Sequence, residues 1–312
     1  MNILLLGAAS FIGTNLTIKL AQNSLNNITL IDKNKVYFRN IEAMNFTNVS
    51  IKESAFDIDM DFNSILEHQD IVYHLVSTTV PTTSNLHISQ ELIANVIFSS
   101  NLFEACVQCG VKKIVFISSG GTVYGKEVDC PLKEEMETNP ISSYGIQKLT
   151  IEKLLYLYKY MYGLDYRVIR LSNPYGPYQR PDGGLGAVTT FTYKALRGEE
   201  ITVYGDGSVT RDFIFIDDAV RAIMNIVEGS NKHHIFNLGC GYGISINQVL
   251  ESIQKTLNVE LNLVYKPGRK VDVPINYLDI ARYEKYYGAL NPLNLYEGIK
   301  KTAEFLIKYY DV

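Results

Sequence analysis

A chain of 312 residues that is 46% hydrophobic and 20% charged has ample material for a buried core, as one large domain or two fused ones. Its formal net charge of −4 argues against a protein that tracks a nucleic-acid backbone, so an anionic small ligand would have to be met by local basic groups. The apolar opening from Asn2 to Gly7 is too short to span a bilayer and lacks the basic flank and cleavage site of a leader. A cytoplasmic location without a membrane partner is therefore expected. The four cysteines form no paired framework, and Cys106 and Cys109 fall inside a helical pattern without a second ligand pair. That is the pattern of buried thiols, and no metal is expected.

The first strand, residues 2 to 7, runs into Gly7-Ala-Ala-Ser-Phe-Ile-Gly13 and a helix reaching about Asn23. A turn of small residues between strand and helix lets a pyrophosphate approach backbone N–H groups where the helix dipole favours anions. Gly7, Ser10, Phe11, Ile12 and Gly13 are the candidates for that contact, with Ser10 standing where the motif carries its middle glycine. The second strand, Ile28 to Asp32, ends on a carboxylate about twenty residues further on. Asp32 would accept from the adenosine 2′-hydroxyl and repel a 2′-phosphate, which selects NAD over NADP. A weaker strand near Val49 to Ala55 leads to Asp57 and Ile58, where Asp57 is either an adenine contact or a solvated loop acid.

Ile71 to Val76 is the fourth strand, and a long helix follows over about 88–109. The fifth, Lys113-Ile-Val-Phe-Ile117, reads as a buried parallel strand and delivers Ser118-Ser119-Gly120-Gly121-Thr122-Val123-Tyr124-Gly125 at its carboxyl end. Open α/β sheets bind ligands there. Tyr144 and Lys148 follow, four apart on a helix spanning 142–163, so both side chains face one way. A phenol beside an ammonium is an acid/base device, in which the positive charge can bring the phenol down from about 10 toward working pH. Tyr296 and Lys300 repeat the spacing on a terminal amphipathic helix with no strand end or glycine turn before them, and read as structural.

After the strand from Tyr166 to Leu171 the texture changes to Pro/Gly-rich turns. Shorter elements follow: helices at about 185–197, 217–228, 246–257 and 295–309, and strands at 201–203, 213–216 and from Ile235. Strands alternating with helices predict an α/β protein, a doubly wound, mostly parallel Rossmann sheet over 1–172 that binds NAD. Residues 173–312 form mainly a smaller α/β substrate lobe that partly packs back on the sheet.

These motifs together resemble the extended short-chain dehydrogenases, the NAD-dependent epimerase/dehydratase group, and within it UDP-glucose 4-epimerase-like enzymes. The likeness spans the chain: the Gly7–Gly13 turn, Asp32, His74-Leu75, Asn95, Val123-Tyr124-Gly125, Tyr144/Lys148, the run from Arg170 to Pro177, Tyr204-Gly-Asp-Gly207, Arg211-Asp212 and Asp217-Asp218. The resemblance implies that Tyr144 is the general base and that Lys148 binds the nicotinamide ribose. Tyr144 would take the 4-hydroxyl proton of a UDP-hexose as hydride passes to NAD, and the 4-keto sugar would turn over and receive the hydride on its other face. It further implies Leu75 at the cofactor, and Asn173, Arg211 and Arg269 at the diphosphate, with Tyr204 on the substrate side. Asp272 falls at the uridine ribose and Arg180 in a Gly/Pro loop near the substrate. A homodimer built from the 88–109 and 143–162 helices is implied as well.

Two further departures from the family pattern matter. Gly120 stands where many 4-epimerases carry the hydroxyl that shares the 4-OH proton, and either Ser119 or Thr122 could replace it. Asn276 falls where epimerases restricted to unsubstituted hexoses carry a bulky aromatic, which leaves room for an acetamido group at C2 and so for UDP-N-acetylhexosamines. Dehydratases need an acidic pair before Val-Tyr-Gly and decarboxylases a glutamate; this chain has Gly121 and Thr122. The remaining alternatives are a nucleotide-sugar reductase, an epimerase acting at another carbon, or a dinucleotide sensor without catalysis.

Overall fold

The computed structural model describes residues 1–79, 84–126, 129–182, 186–268, 273–310 and 312. Two compact units emerge from the chain. The first comprises Met1–Val123, Thr138–Ile169 and Ser230–Ile235, and the second Tyr124–Glu137, Arg170–Gly229 and Phe236–Val312. No helix among the described residues is long and apolar enough to cross a membrane.

In the first unit, β1 (Asn2–Leu6), β2 (Asn27–Asp32), β4 (Ile71–His74) and β5 (Lys113–Ser119) are the largely apolar runs expected of strands covered on both faces, whereas β3 (Val49–Glu53) alternates apolar and polar residues at the sheet edge and is mostly exposed. Their pairings are parallel: Leu4 lies beside Thr29 on one side and Val72 on the other, and Val72 beside Ile114. With β6 (Asp165–Leu171) and β11 (Ile235–Leu238), the sheet order is β11-β6-β5-β4-β1-β2-β3. The direction of strand addition reverses between β1 and β4, the place where such sheets open a ligand crevice. This Rossmann α/β fold agrees with the sequence reading. Leu4, Leu6, Val72, Ile114 and Phe116 pack with Phe98, Leu102 and Phe103 into one core.

Three helices frame the carboxyl ends of these strands. The first, α1 (Phe11–Ala21), starts on Ser10, whose hydroxyl accepts from the Gly13 N–H at 3.1 Å. The predicted 88–109 helix, here α2, is not uniform: α-helical Ile88–Leu92 passes into a π segment, Ile93–Ile97, before Phe98–Gln108. Periodicity over so short an insertion is invisible in sequence. The third, α3 (Ser143–Tyr162), is capped by Ser142, which accepts from the Gly145 N–H at 3.2 Å, and closes on left-handed Gly163.

The second unit is built on smaller sheets that the sequence reading resolved only in part. Strand β7 (Asn173–Tyr175) pairs with β10 (Phe213–Phe215), and β8 (Ile201–Tyr204) with β13 (Leu263–Lys266). The two-residue β9 (Thr210–Arg211) lies between β12 (Ile244–Ser245) and β14 (Ile275–Asn276). Its core gathers Tyr175, Val188, Ile201, Phe213, Val249 and Ile299 from strands and from helices α4 (Ala187–Leu196), α6 (Ile246–Leu257) and α8 (Leu295–Tyr309). Between them in the chain lie α5 (Ile216–Glu228) and α7 (Ala281–Tyr287).

A β-carbon on Gly13 would overlap the Ala8 carbonyl oxygen, so α1 approaches the β1 turn as closely as it does only because residue 13 is glycine. Helix propensity alone would make Gly13→Ala a gain of about 1 kcal/mol. We expect instead a loss of about 1–3 kcal/mol from overpacking, read from chemical denaturation. A gain would show that α1 lifts away without cost.

Candidate active site

At the β1–α1 turn the geometry is that of an anion cradle. Asp32, buried at the end of β2, accepts from the Ala9 N–H at 2.9 Å and the Lys33 N–H at 2.8 Å, and so ties the turn to the neighbouring strand. Gly7 packs against the backbone of Leu75 and Val76 after β4, at the strand reversal. The N–H groups of Phe11 and Ile12 have no acceptor among the described residues, and the Ser10 hydroxyl keeps its proton free to donate outward. These unmatched donors at a helix N-terminus fit a dinucleotide pyrophosphate. Asp57 and Ile58 lie apart from this cradle in sequence, both exposed, and the Asp57 carboxylate accepts from the Asp59 N–H at 3.0 Å within its own turn.

The Tyr144/Lys148 pair sits where α3 crosses the end of β5. Gly145 makes this crossing possible, since a β-carbon there would press on the Thr122 carbonyl oxygen at 2.8 Å. Lys148 is buried; its Nζ donates to the Ile117 carbonyl at 2.8 Å and lies 4.7 Å from the centre of the Phe116 ring and 5.6 Å from that of Tyr144. A small cleft beside the pair is lined by Val76, Ser77, Asn95, Gln147 and Ile151. Ser119 ends β5 partly exposed, while the Thr122 hydroxyl is buried and has no hydrogen-bond partner among the described residues.

One electrostatic expectation is corrected. The sequence reading has Lys148 drawing the Tyr144 phenol down, but burial dominates and pushes Tyr144 up to about 12. Burial likewise brings the Lys148 ammonium down to about 8, against a pull in the other direction from Glu152. His74 is a core residue: its Nε2 pairs with Ser99 Oγ at 2.7 Å, and burial holds it neutral, with a pKa down to about 3.

Sequence reasoning missed a buried polar web that positions α3. Asn95, in the π segment of α2, accepts from the Thr78 N–H at 2.9 Å and donates to Gln147 Oε1 at 2.7 Å. Gln147 donates to Glu91 at 3.0 Å and to Ser143 at 2.8 Å, and Ser143 donates to Glu91 at 2.7 Å. Polar residues at 91, 95, 143 and 147, spaced by four on helices that otherwise bury apolar faces, were the available signal.

In the second unit, Asn173 donates both its backbone N–H and its side-chain amide to the Asp212 carbonyl, at 3.0 and 2.9 Å. Arg211, next in the chain, donates to Val273 O at 2.6 Å and lies in register with the buried Asn276 of β14. The structure therefore brings Asn173, Arg211 and Asn276 together around Asp212. Tyr204 ends β8 in a different small sheet, and Arg180 is an exposed loop residue. Arg269 and Asp272 lie outside the described residues.

The pattern of the NAD dependent epimerase/dehydratase family matches residues 3–239. This chain belongs to that family. It is an NAD-dependent enzyme of the epimerase/dehydratase class, and NAD is its cofactor. Among solved structures, it is 35% identical to a UDP-glucose 4-epimerase from Thermotoga maritima bound to UDP-glucose, with a TM-score of 0.90 and 99% of each chain covered. It is 30% identical to a UDP-N-acetylglucosamine 4-epimerase from Methanobrevibacter ruminantium in complex with UDP-N-acetylmuramic acid, at 0.90 over 98% of each. A UDP-glucuronic acid 4-epimerase from Bacillus cereus, solved with UDP-glucuronic acid and NAD, is 25% identical at 0.89, covering 99% of this chain and all of that one. The chain thus carries the Gly7–Gly13 turn and the Tyr144/Lys148 pair on one unit.

Asp212 is fully buried and accepts from the N–H groups of Cys240 at 2.7 Å, Leu278 at 3.2 Å and Gly241 at 3.3 Å. Burial outweighs these bonds and pushes its pKa from 3.8 up to about 6. Its ionisation thus costs more in the fold than in the unfolded chain, so its contribution is complete below 3.8 and is lost as pH rises through about 6. We expect the stability difference between wild type and Asp212→Asn to fall by up to about 3 kcal/mol across that window, measured by denaturation at each pH. A flat difference would contradict the assignment.

Proposed function

We propose that this chain interconverts the two C4 epimers of a UDP-hexose through a 4-keto intermediate. The observation that carries the reading is the Tyr144/Lys148 pair, set by Gly145 against the Ser119–Thr122 strand end beside a dinucleotide turn. NAD, when bound, supplies a hydride acceptor that returns what it takes, so no net oxidation results. Phe11 and Ile12 amides, Ser10 and Asp32 would hold it.

Tyr144 takes the proton from the sugar 4-hydroxyl and gives it back after the intermediate has turned over. Burial favours the protonated phenol, so holding Tyr144 as the phenolate that accepts this proton demands positive charge close by. Lys148, with Nζ 5.6 Å from the ring centre, is the chain's own source. Thr122 is the better of the two hydroxyl candidates for sharing the 4-OH proton, because its buried oxygen lacks a partner among the described residues and its backbone abuts α3 next to Tyr144. For the diphosphate we propose Asn173 and Arg211, where charge-assisted bonds to phosphate are strong, with Arg269 and Asp272 as further contacts of the UDP moiety and Tyr204 and Arg180 nearby. Asp57, Ile58 and Leu75 complete the proposed cofactor contacts.

The asparagine at 276 in place of a bulky aromatic supports acceptance of UDP-N-acetylhexosamines. A reductase would consume NADH stoichiometrically, whereas the proposed reaction consumes none. Proton NMR of UDP-GlcNAc and UDP-glucose, each with protein and catalytic NAD, should show the galacto anomeric signal from both. Failure with UDP-GlcNAc alone would remove the acetamido reading, and failure with both would remove 4-epimerisation of these sugars. Tyr144→Phe should lower turnover at least about 100-fold while NAD binding, followed by calorimetry, stays within a few-fold. Retained turnover would take the general-base role away from Tyr144.

We further propose a homodimer. Ile93 and Ile97 on α2, and Ile146, Leu157 and Tyr160 on α3, are exposed, Tyr160 at 76%. An apolar strip of this kind on two adjacent helices is what a second copy would cover. Sedimentation should give twice the 35.2 kDa chain mass, and Leu157→Glu with Tyr160→Glu should return the monomer. A monomeric wild type would refute it.

A further inference from the structure

We propose that Glu152 is a positioning residue of this site: its buried carboxylate ties α3 to the end of β5 and keeps the neighbouring Lys148 in its ammonium form. This rests on the reading of Tyr144 and Lys148 as the acid/base pair and extends it by one member.

Tyr144, Lys148 and Glu152 follow one another at intervals of four along α3, so all three project from one face toward β5. Lys148 and Glu152 grip consecutive residues of that strand: Lys148 Nζ donates to the Ile117 carbonyl at 2.8 Å, and Ser118 Oγ donates to Glu152 Oε1. Ser119, the next residue, opens the catalytic strand end. The two grips fix how far along β5 the helix sits, and hence where Tyr144 stands relative to Ser119 and Thr122.

Packing alone does not account for a carboxylate at 152. The side chain is 2% exposed, and an ionised carboxyl group in such a place is costly unless an opposite charge compensates it. The opposite charge available on the same helix face is the Lys148 ammonium one turn earlier. Burial alone drives Lys148 toward deprotonation, and Glu152 is the group that acts against it. The other groups facing this pair do not. His74 on β4 stays neutral, burial favours the uncharged form of Tyr144, Phe116 on β5 offers only its ring face, and Tyr166 on β6 is held protonated by burial and then by Glu152 itself. Glu152 thus sets how alkaline the medium can become before the ammonium beside Tyr144 is lost.

Glu152→Gln is the discriminating variant, because the amide oxygen can still accept from Ser118 while the charge is gone. Carbon-13 labelling of lysine side chains, with Lys148→Met to assign the signal, follows Lys148 titration directly and without turnover. The expected result is a Lys148 midpoint about one pH unit lower in Glu152→Gln, with Glu152→Asp restored toward wild type. The alkaline limb of the kcat profile for UDP-sugar epimerisation should move with it, so that the variant loses activity about tenfold nearer neutrality. An unmoved Lys148 midpoint in folded Glu152→Gln, or in Glu152→Ala should the glutamine variant not fold, would overturn the proposal. A shifted midpoint in a protein whose wild type epimerises no UDP-sugar would support the role of Glu152 and overturn the functional reading instead.

Discussion

A lysine ammonium buried against the carboxyl end of a strand is the constraint around which the first unit is arranged. Lys148 cannot leave water without partners, and the Ile117 carbonyl, the Phe116 ring face and the Glu152 carboxylate are what the fold offers. To bring them together, α3 must lie close on β5. That closeness demands a glycine at 145 against the Thr122 carbonyl, and a serine at 118 to meet the carboxylate. The polar web of Glu91, Asn95, Ser143 and Gln147 then fixes the other side of α3. The π segment of α2 falls at Asn95, where the helix turns its amide toward this web. Tyr144 is held from both flanks, and such preorganisation is what the proton-transfer role proposed for it requires.

The second unit shows the same principle with the opposite charge. Asp212 has no exposed surface, and three backbone N–H groups from two segments, Cys240–Gly241 and Leu278, converge on it. Its own carbonyl takes both donors of Asn173, and its neighbour Arg211 reaches across to Val273. One buried carboxylate therefore locates the residues proposed to meet the nucleotide. Burial and hydrogen bonding act on it in opposite directions, and burial wins. A second buried knot in this unit joins Arg170, Tyr124, Asn237 and Glu134, in which the Tyr124 hydroxyl receives from Arg170 at 3.0 Å and donates to Asn237 at 2.6 Å. This gives the tyrosine of the Val123-Tyr124-Gly125 run a structural role in the fold.

Much of the first unit was legible from the chain. Apolar runs such as Lys113 to Ile117 read as strands covered on both sides, the Gly7–Gly13 turn reads as a join of strand to helix, and a spacing of four places Tyr144 and Lys148 on one face. The β-strands of the second unit were less legible, because two-residue pairings such as Thr210–Arg211 with Ile275–Asn276 carry no periodicity. The direction of the Tyr144 shift was misjudged for a related reason. Charge proximity can be read from spacing, whereas burial, the larger effect here, cannot.

What the sequence by itself determined is the α/β class, the glycine turn between first strand and helix, the Ser/Thr-bearing strand end and the family, since each depends on local spacing and residue type. Tertiary structure alone decided which groups are buried beside which. It put Glu152 under Lys148 and Ser118, left the Thr122 hydroxyl without a partner among the described residues, and set Asn173 on Asp212. The reason is physical: hydrogen bonds and desolvation depend on distances of a few ångströms between residues far apart in the chain, and no local pattern encodes those distances.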